Sequence, residues 1–507
     1  MRTPPNRRKL RLVLLAGLVS AALTLSSVQA RTLTVGLNAT LASLDVHTAI
    51  GPNVVGTRVF GIFSDALVGI GADGSLQPML ALNWTNHGTD WVFELRQGVV
   101  FHDGSEMTSD DVVYSFERIL DPANAAVAAS QIRRKISGVR ATGEYEVTFT
   151  TPAPDPLLPL RLTSYWTSVV SKNTADLDEA ARQTRPIGAG PYKVVEFRTN
   201  DRIVFEAHDA YWGGRPAADE VVIRFIPEDA TRVAALQAGD VDLITQVPVD
   251  QVAQLEGSRG VQVLSVPVQS YMTIQMNAVN GPTADPLVRK AMHLAVDREL
   301  IVDELWNGRS RAMTDLLLPG DFGFDSSRPV YPYDPEGARA ALAQSGYKGE
   351  PIRLEVTAGY YPNGDVITIA LIQMWQDVGL NVVLDATEGS AFLDRYLAGQ
   401  TETGMQGRGA NGDAQIMFED WLPGSIWRPA YYVPPAEFDE LLARTAVSLD
   451  AQERYADFRR MVEIFEADLP FTPLYQNVDI SAVRSGINWQ PHPRQLLDFR
   501  PGNLSFD

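Results

Sequence analysis

The sequence predicts an α/β protein, on three observations. Apolar residues recur by turns at strand spacing and at helix spacing from Thr32 to Ala467. Capping and turn residues stand at the boundaries of these patterns. No repeat and no low-complexity linker interrupts them, so domains are expected to be joined by short crossing strands.

Thr32 to Leu37 alternates Leu33, Val35 and Leu37 with polar or small residues and is read as the opening strand, followed by an Asn-, Thr- and Gly-rich loop to about Gly56. Gly69, Gly71 and Gly74 formally match a dinucleotide fingerprint. Ser75-Leu76-Gln77-Pro78 follows in place of a helix, however, and Asp73-Gly74 is a hairpin turn signal, so a hairpin is expected. Trp91 to Leu95 is a strand.

The stretch FHDGSEMTSDDVVYSFERIL, Phe101 to Leu120, then packs a histidine and five carboxylates into twenty residues. Each polar group has structural work to do. Asp103-Gly104 turns the chain, and Thr108 is an N-cap with Asp111 three positions on. Asp110 and Asp111 occupy the first turn, where the helix dipole favours each by roughly 0.3–1 kcal/mol. Val112, Val113, Phe116, Ile119 and Leu120 form the apolar stripe. His102 has no nucleophile at a fixed spacing and is read as a turn histidine.

Asp229 opens a helix with Val233 and Leu236 inward, Gly239 ends it, and Val241 to Ile244 returns as a strand. Asp285 and Pro286 are the N-cap and first residue of a long helix running to Ile301. Val366 to Val378 is a helix after Gly364, and Asn381 to Leu384 is a strand. Asp450 to Ala467 is a last amphipathic helix, with Tyr455, Phe458, Met461, Val462 and Phe465 inward.

Residues 1–30 have the pattern of a cleaved export signal: Arg2, Arg7, Arg8, Lys9 and Arg11, an apolar run from Leu12 to Leu25, and small residues up to Ala30. Arg7-Arg8 hints at twin-arginine export, but Arg11 stands where that signal wants an apolar residue, which favours the general secretory route. Removing the segment deletes five positive and no negative charges from a formal −19, leaving −24. Such an acidic chain excludes nucleic acid as a partner by charge. With no cysteine, disulfides, thiolate metal sites and a lipid-modified N-terminal Cys are excluded, and the expected place is the periplasm.

The six histidines, His47, His87, His102, His208, His293 and His492, form no H-x-x-x-H, and neither a nucleophile elbow nor a phosphate-binding loop is present. Paired carboxylates leave no spacing rule to search for, so a secreted carboxylate-pair hydrolase stays open as the alternative.

Six segments stand out together: LQPMLALNW (76–84), WVFELRQGVVFHDGSEMTSDDVVYSFERI (91–119), PIGAGPYKVVEF (186–197), ALQAGDVDLI (235–244), MNAVNGPTADPLVRKAMHLAVDRELIVDELWNG (276–308) and DLPFTPLYQ (468–476). In that order they resemble one family, the extracytoplasmic solute-binding proteins of peptide/nickel-type ABC importers, family 5, whose relatives also take opines. The resemblance implies a two-lobed α/β periplasmic binding protein, class II-like, that closes as a flytrap does. Lobe I would span 31–270 with a subdomain inserted at 76–185, lobe II 271–479, and 480–507 would return to lobe I. It further implies a monomeric receptor, not an enzyme and without cofactor or metal, that captures a small ligand by a hinge transition and delivers it to a permease and its ATPases at the inner membrane. A chaperone-like or signalling receptor on the same scaffold is a further alternative.

In peptide binders of this family a Trp and, three residues later, an Asp hold the ligand's ammonium group. The corresponding segment here, GMQGRGANGDAQIMFEDW (404–421), has Arg408 and Asn411 at those places, with Asp413 left for a cation if the correspondence shifts by two. A guanidinium suits a carboxylate or phosphate, so a ligand with an acidic group is expected: an acidic or modified peptide, an opine-like conjugate or another organic acid. Tyr271, beside the hinge crossing, is expected to face the cleft, with Gln275 and Asn277 on its face of the strand. Trp427, Tyr360, Tyr361 and Trp166 are further candidates for the lining.

Overall fold

A computed structural model of the protein describes residues 30–48, 54–124, 126–387, 391–409 and 411–507. The expected export segment lies outside them, save Ala30. Among the described residues no helix is long and apolar enough to cross a membrane.

Strand Thr32–Leu37 starts an eleven-stranded sheet. Its alternation places Leu33, Val35 and Leu37 wholly inside, and it pairs in parallel with Glu220–Phe225. Arg202–Ala207 and Tyr192–Arg198 extend this half as antiparallel neighbours. On the other side Leu243–Ile244 lies parallel to the opening strand and antiparallel to Phe471–Arg484. The far half of the sheet consists of Thr403–Arg408, Ile352–Thr357 and Val382–Thr387.

Two long antiparallel strands join the halves, Val261–Met276 and Phe471–Arg484. Residues 261–267 pair with 484–478 and residues 271–275 with 476–471, and the register shifts between Pro267 and Tyr271. Proline has no N–H to give a ladder, so the bulge sits where pairing is weakest and the strands bend at least cost. Nearby, Arg58 on helix Val54–Phe63 clasps Asp479 with two hydrogen bonds of 2.9 and 2.7 Å, both side chains buried.

A separate four-stranded antiparallel sheet, in the order 81–87, 90–95, 146–150, 138–143, carries helix Ser109–Leu120 on one face. Phe149 stands edge-on between Phe93 and Phe116, with ring centres 5.4 and 4.7 Å away. The dense stretch before and within that helix has its expected structural occupation. Thr108 donates its N–H and its hydroxyl to Asp111 Oδ2 at 2.9 and 3.2 Å, while Asp111 Oδ1 accepts from the Lys172 N–H. Asp103 holds Ser105 and Asn173. His102 Nε2 meets the Gly190 carbonyl at 3.0 Å, and burial draws its ring down to about 3, keeping it neutral. The fingerprint-like glycines form the hairpin Val68–Ile70 with Leu76–Pro78.

Gly190, in the PIGAGPYKVVEF segment, shows why that motif needs glycine. A Cβ there would lie 2.4 Å from the Phe63 carbonyl carbon and 2.5 Å from the Ser64 nitrogen.

Three expectations need correction. The long helix after Asp285 ends at Leu294, because Asp297 caps a new turn through the Leu300 N–H. The strand expected from Val241 is confined to Leu243–Ile244. In helix Ala451–Asp468, Phe458, Met461, Val462 and Phe465 are buried, but Tyr455 is 39% exposed at the edge of the stripe.

Candidate functional site: an interlobe cavity

A cavity of about 510 Å³ lies where the two halves of the sheet meet, within the range that small-molecule sites occupy. Its floor is the register break itself, residues Val268, Gln269 and Ser270. One wall comes from the first lobe: Arg134, Lys135, Arg161, Thr163 and Trp166, together with Arg494 from the chain that follows the last long strand. The other comes from the second lobe, with Gly409, Asn411, Glu419 and Asp420. Gly409 is where the second lobe approaches the floor: a Cβ would stand 2.3 Å from the Gln269 carbonyl oxygen, so only glycine lets the strands come this close.

Two contacts tie the walls together. Glu419, at the end of helix Ala414–Phe418, accepts from Lys135 Nζ at 2.6 Å and from Arg161 Nη2 and Nη1 at 2.8 and 3.2 Å. Burial pushes the Glu419 carboxyl up, but the Arg161 and Lys135 charges outweigh it and hold it below the usual range. Arg494 spans the cavity's other side, donating to Thr163 Oγ1 at 3.1 Å and to the Asn411 carbonyl at 2.8 Å.

The cavity is electropositive although the chain carries a net −19. Arg134, Lys135, Arg161 and Arg494 face Glu419 and Asp420. Glu419 is consumed by Arg161 and Lys135, and Asp420 leans on Arg408 at 3.4 Å. Among the described residues neither Arg134 nor Arg494 has a carboxylate within ion-pair distance. The Arg494 Nε is buried without a hydrogen-bond partner. Burial draws its guanidinium down to about 10, because it loses hydration while Asp321 is the one charge helping it.

The candidates named from the sequence divide accordingly. Trp166 and Asn411 line the cavity. Arg408 stands behind the wall: it is 9% exposed, gives Nη2 to Gln275 Oε1 at 2.8 Å, and lies 4.9 Å from the Phe471 ring centre. Gln275 also accepts from the Tyr396 hydroxyl at 2.7 Å. Tyr271 does not face the cleft. It is fully buried among Met313, Leu318 and Tyr331, and its hydroxyl meets Met417 Sδ at 3.6 Å. Asn277 is buried on the same face and accepts from the Val279 and Asn280 N–H groups. Asp413 is no free cation site: it caps helix Ala414–Phe418 and forms a two-oxygen pair with Arg454 at 2.9 and 2.8 Å. Trp427 packs on Tyr396 with ring centres 4.5 Å apart. Tyr361 accepts from the Gly407 N–H, and Tyr360, 65% exposed, stands edge-on to it. The residues missed are Arg134, Lys135, Arg161, Gln269, Glu419, Asp420 and Arg494.

A larger hollow, about 630 Å³, lies on the second lobe alone among Asp285, Tyr347, Glu350, Arg353 and Glu402. It opens widely to solvent, with no opposing lobe to close over it.

A floor at a bent strand pair, with one wall from each lobe, defines a two-lobed binding protein of the flytrap kind. The chain belongs to the bacterial extracellular solute-binding proteins, family 5, whose middle region matches residues 75–436. It is similar to heme-binding protein A of Haemophilus influenzae, 28% identical over 80% of this chain and 79% of that protein. The dipeptide-binding protein of Escherichia coli is likewise 28% identical, over 81% and 82%. Among solved structures, AgaA from A. tumefaciens R10 in complex with agropinic acid superimposes with a TM-score of 0.79 at 27% identity, covering 94% of this chain and 99% of that one.

Proposed function

We propose that this protein is the periplasmic receptor of an ABC importer, acting as a monomer and not as an enzyme, and that its ligand is a small molecule with an acidic group. The observation that carries the reading is the cavity at the strand break with a wall from each lobe: a ligand seated there touches both walls only when they are closed, so binding draws the closed form out of the open one. The positive excess of the lining favours an anionic solute. Relatives support the range of small ligands, from dipeptide to heme, and agropinic acid in AgaA is an organic acid. In this reading the lobe boundaries taken from the sequence, 31–270 with 480–507 against 271–479, meet at a hinge formed by the register break of residues 268–270. The cavity's carboxylates are both turned toward cations, which suits retention of a ligand better than general acid–base work on it.

Refolded, ligand-free protein incubated with a small-molecule extract and analysed by native mass spectrometry tests this. One compound should be retained, raise the Tm by mass action and be released unchanged. Conversion of that compound, or retention of nothing, counts against the receptor.

A further inference from the structure

Two residues that line the cavity each carry a buried polar atom without a partner, and the two atoms are of opposite kind. Arg494 Nε is a buried donor and Gln269 Oε1 a buried acceptor, neither with a partner. Their segments are bound to each other, the Gln269 N–H donating to the Pro493 carbonyl at 3.2 Å. Both side chains are otherwise anchored: Arg494 by Thr163 and the Asn411 carbonyl, Gln269 by its amide nitrogen, which donates to the Pro319 carbonyl at 3.3 Å. An anchored side chain that lines a cavity and keeps one polar atom unsatisfied is preorganised for a partner from outside, since a buried orphan donor or acceptor is costly until it is satisfied. Arg134, on the same lining, adds a second positive charge that forms no ion pair among the described residues.

We infer that Arg494 and Gln269 form a subsite in which the guanidinium takes a carboxylate of the ligand and the Gln269 carbonyl accepts from an N–H or O–H next to it, so that the ligand class is an amino- or hydroxy-acid derivative held by its acid end against the first lobe. This rests on the receptor reading above and moves the anion contact from Arg408, in the second lobe, to the segment that returns to the first. Because Arg494 also grips the Asn411 carbonyl of the second lobe, the group that reads the acid is the same one that helps hold the closed form.

The test uses calorimetric titration of the full protein with succinate, N-acetylglutamate and the dipeptide Ala-Ala, each compared with its carboxamide counterpart. At least one free acid should bind ten times or more tighter than its amide. Arg494→Gln should abolish that preference, and Arg494→Lys, keeping charge without the planar fork, should restore part of it. The subsite is overturned if wild-type protein prefers no acid over its amide, including the case where none of the six compounds binds, or if the preference persists in Arg494→Gln. The acid–amide comparison in wild-type protein stands even if a variant misfolds. A neutral compound captured from the extract would sink the subsite and leave the receptor standing, whereas capture of nothing would sink the receptor.

Discussion

Arg408, behind one wall of the cavity, and Arg494, in the opposite wall, have surroundings that differ in kind. Arg408 is embedded in the second lobe, with Gln275 on its fork, Asp420 beside it and the Phe471 and Trp421 rings within 4.9 and 5.7 Å. Arg494 has a hydroxyl and a backbone carbonyl, both neutral, and an Nε without a partner. The same residue type is structural at one wall and available at the other. What separates them is how much of each charge is already answered, which the identity of the residue does not tell.

The comparison can be broken most directly through stability. Arg408→Ala should cost about 3 kcal/mol in urea unfolding, because it takes one of two donors from Gln275, leaves Asp420 without its ion partner and removes a buried stem from an aromatic layer. Arg494→Ala should cost less than about 1 kcal/mol in the same assay; equal losses would erase the distinction. Next in size is the tie between the walls: Glu419→Gln removes the charge that Arg161 and Lys135 share, worth about 2 kcal/mol. Small-angle scattering of the ligand-free protein should then report a larger radius of gyration, and an unchanged radius would show that the tie is idle.

Asp321 sharpens the contrast through pH. Burial raises its carboxyl from 3.8 to about 6, against the Leu318 and Gly412 N–H groups that it accepts from at 2.8 Å and the Arg494 charge further off. A group whose pKa is raised on folding gives stability that is complete below the unfolded value and is lost as the pH climbs through the folded one. From this residue the protein should therefore be about 1 kcal/mol more stable at pH 5 than at pH 7, and Asp321→Asn should lack that component. A slope identical in both proteins would remove Asp321 from the account. The smallest effect belongs far from the cavity. Thr108→Ala should cost roughly 0.5–1 kcal/mol by opening the cap onto Asp111, with ligand affinity unaltered.

Local chemistry was readable in the sequence and assembled chemistry was not. The cap at Thr108, the turn at Asp103-Gly104 and the proline-led helix at Asp285 are decided within a few residues, so pattern and propensity suffice. Tyr271 misled because alternation tells which side of a strand a residue takes but not what covers that side, and here Met313, Leu318, Tyr331 and Met417 do. Arg494 carried no motif. Its value comes from Thr163 and Asn411, 331 and 83 residues away in the chain. A signal did exist for Arg134 and Lys135: Arg133-Arg134-Lys135 is a basic run in an acidic chain. Arg133 is spent on the Ile119, Asp121 and Asn124 carbonyls, which leaves the other two for the cavity.

The strand Phe471–Arg484 has a bearing on how the molecule is made. Leu243–Ile244, deep in the first lobe, finds its second neighbour only in Ala482 and Val483, which the ribosome delivers after the whole of the intervening lobe. Until then one edge of the first sheet is bare, an invitation to pair with another chain. Such remote closure makes for slow maturation, and a first lobe expressed by itself is expected to aggregate, not to fold as a module.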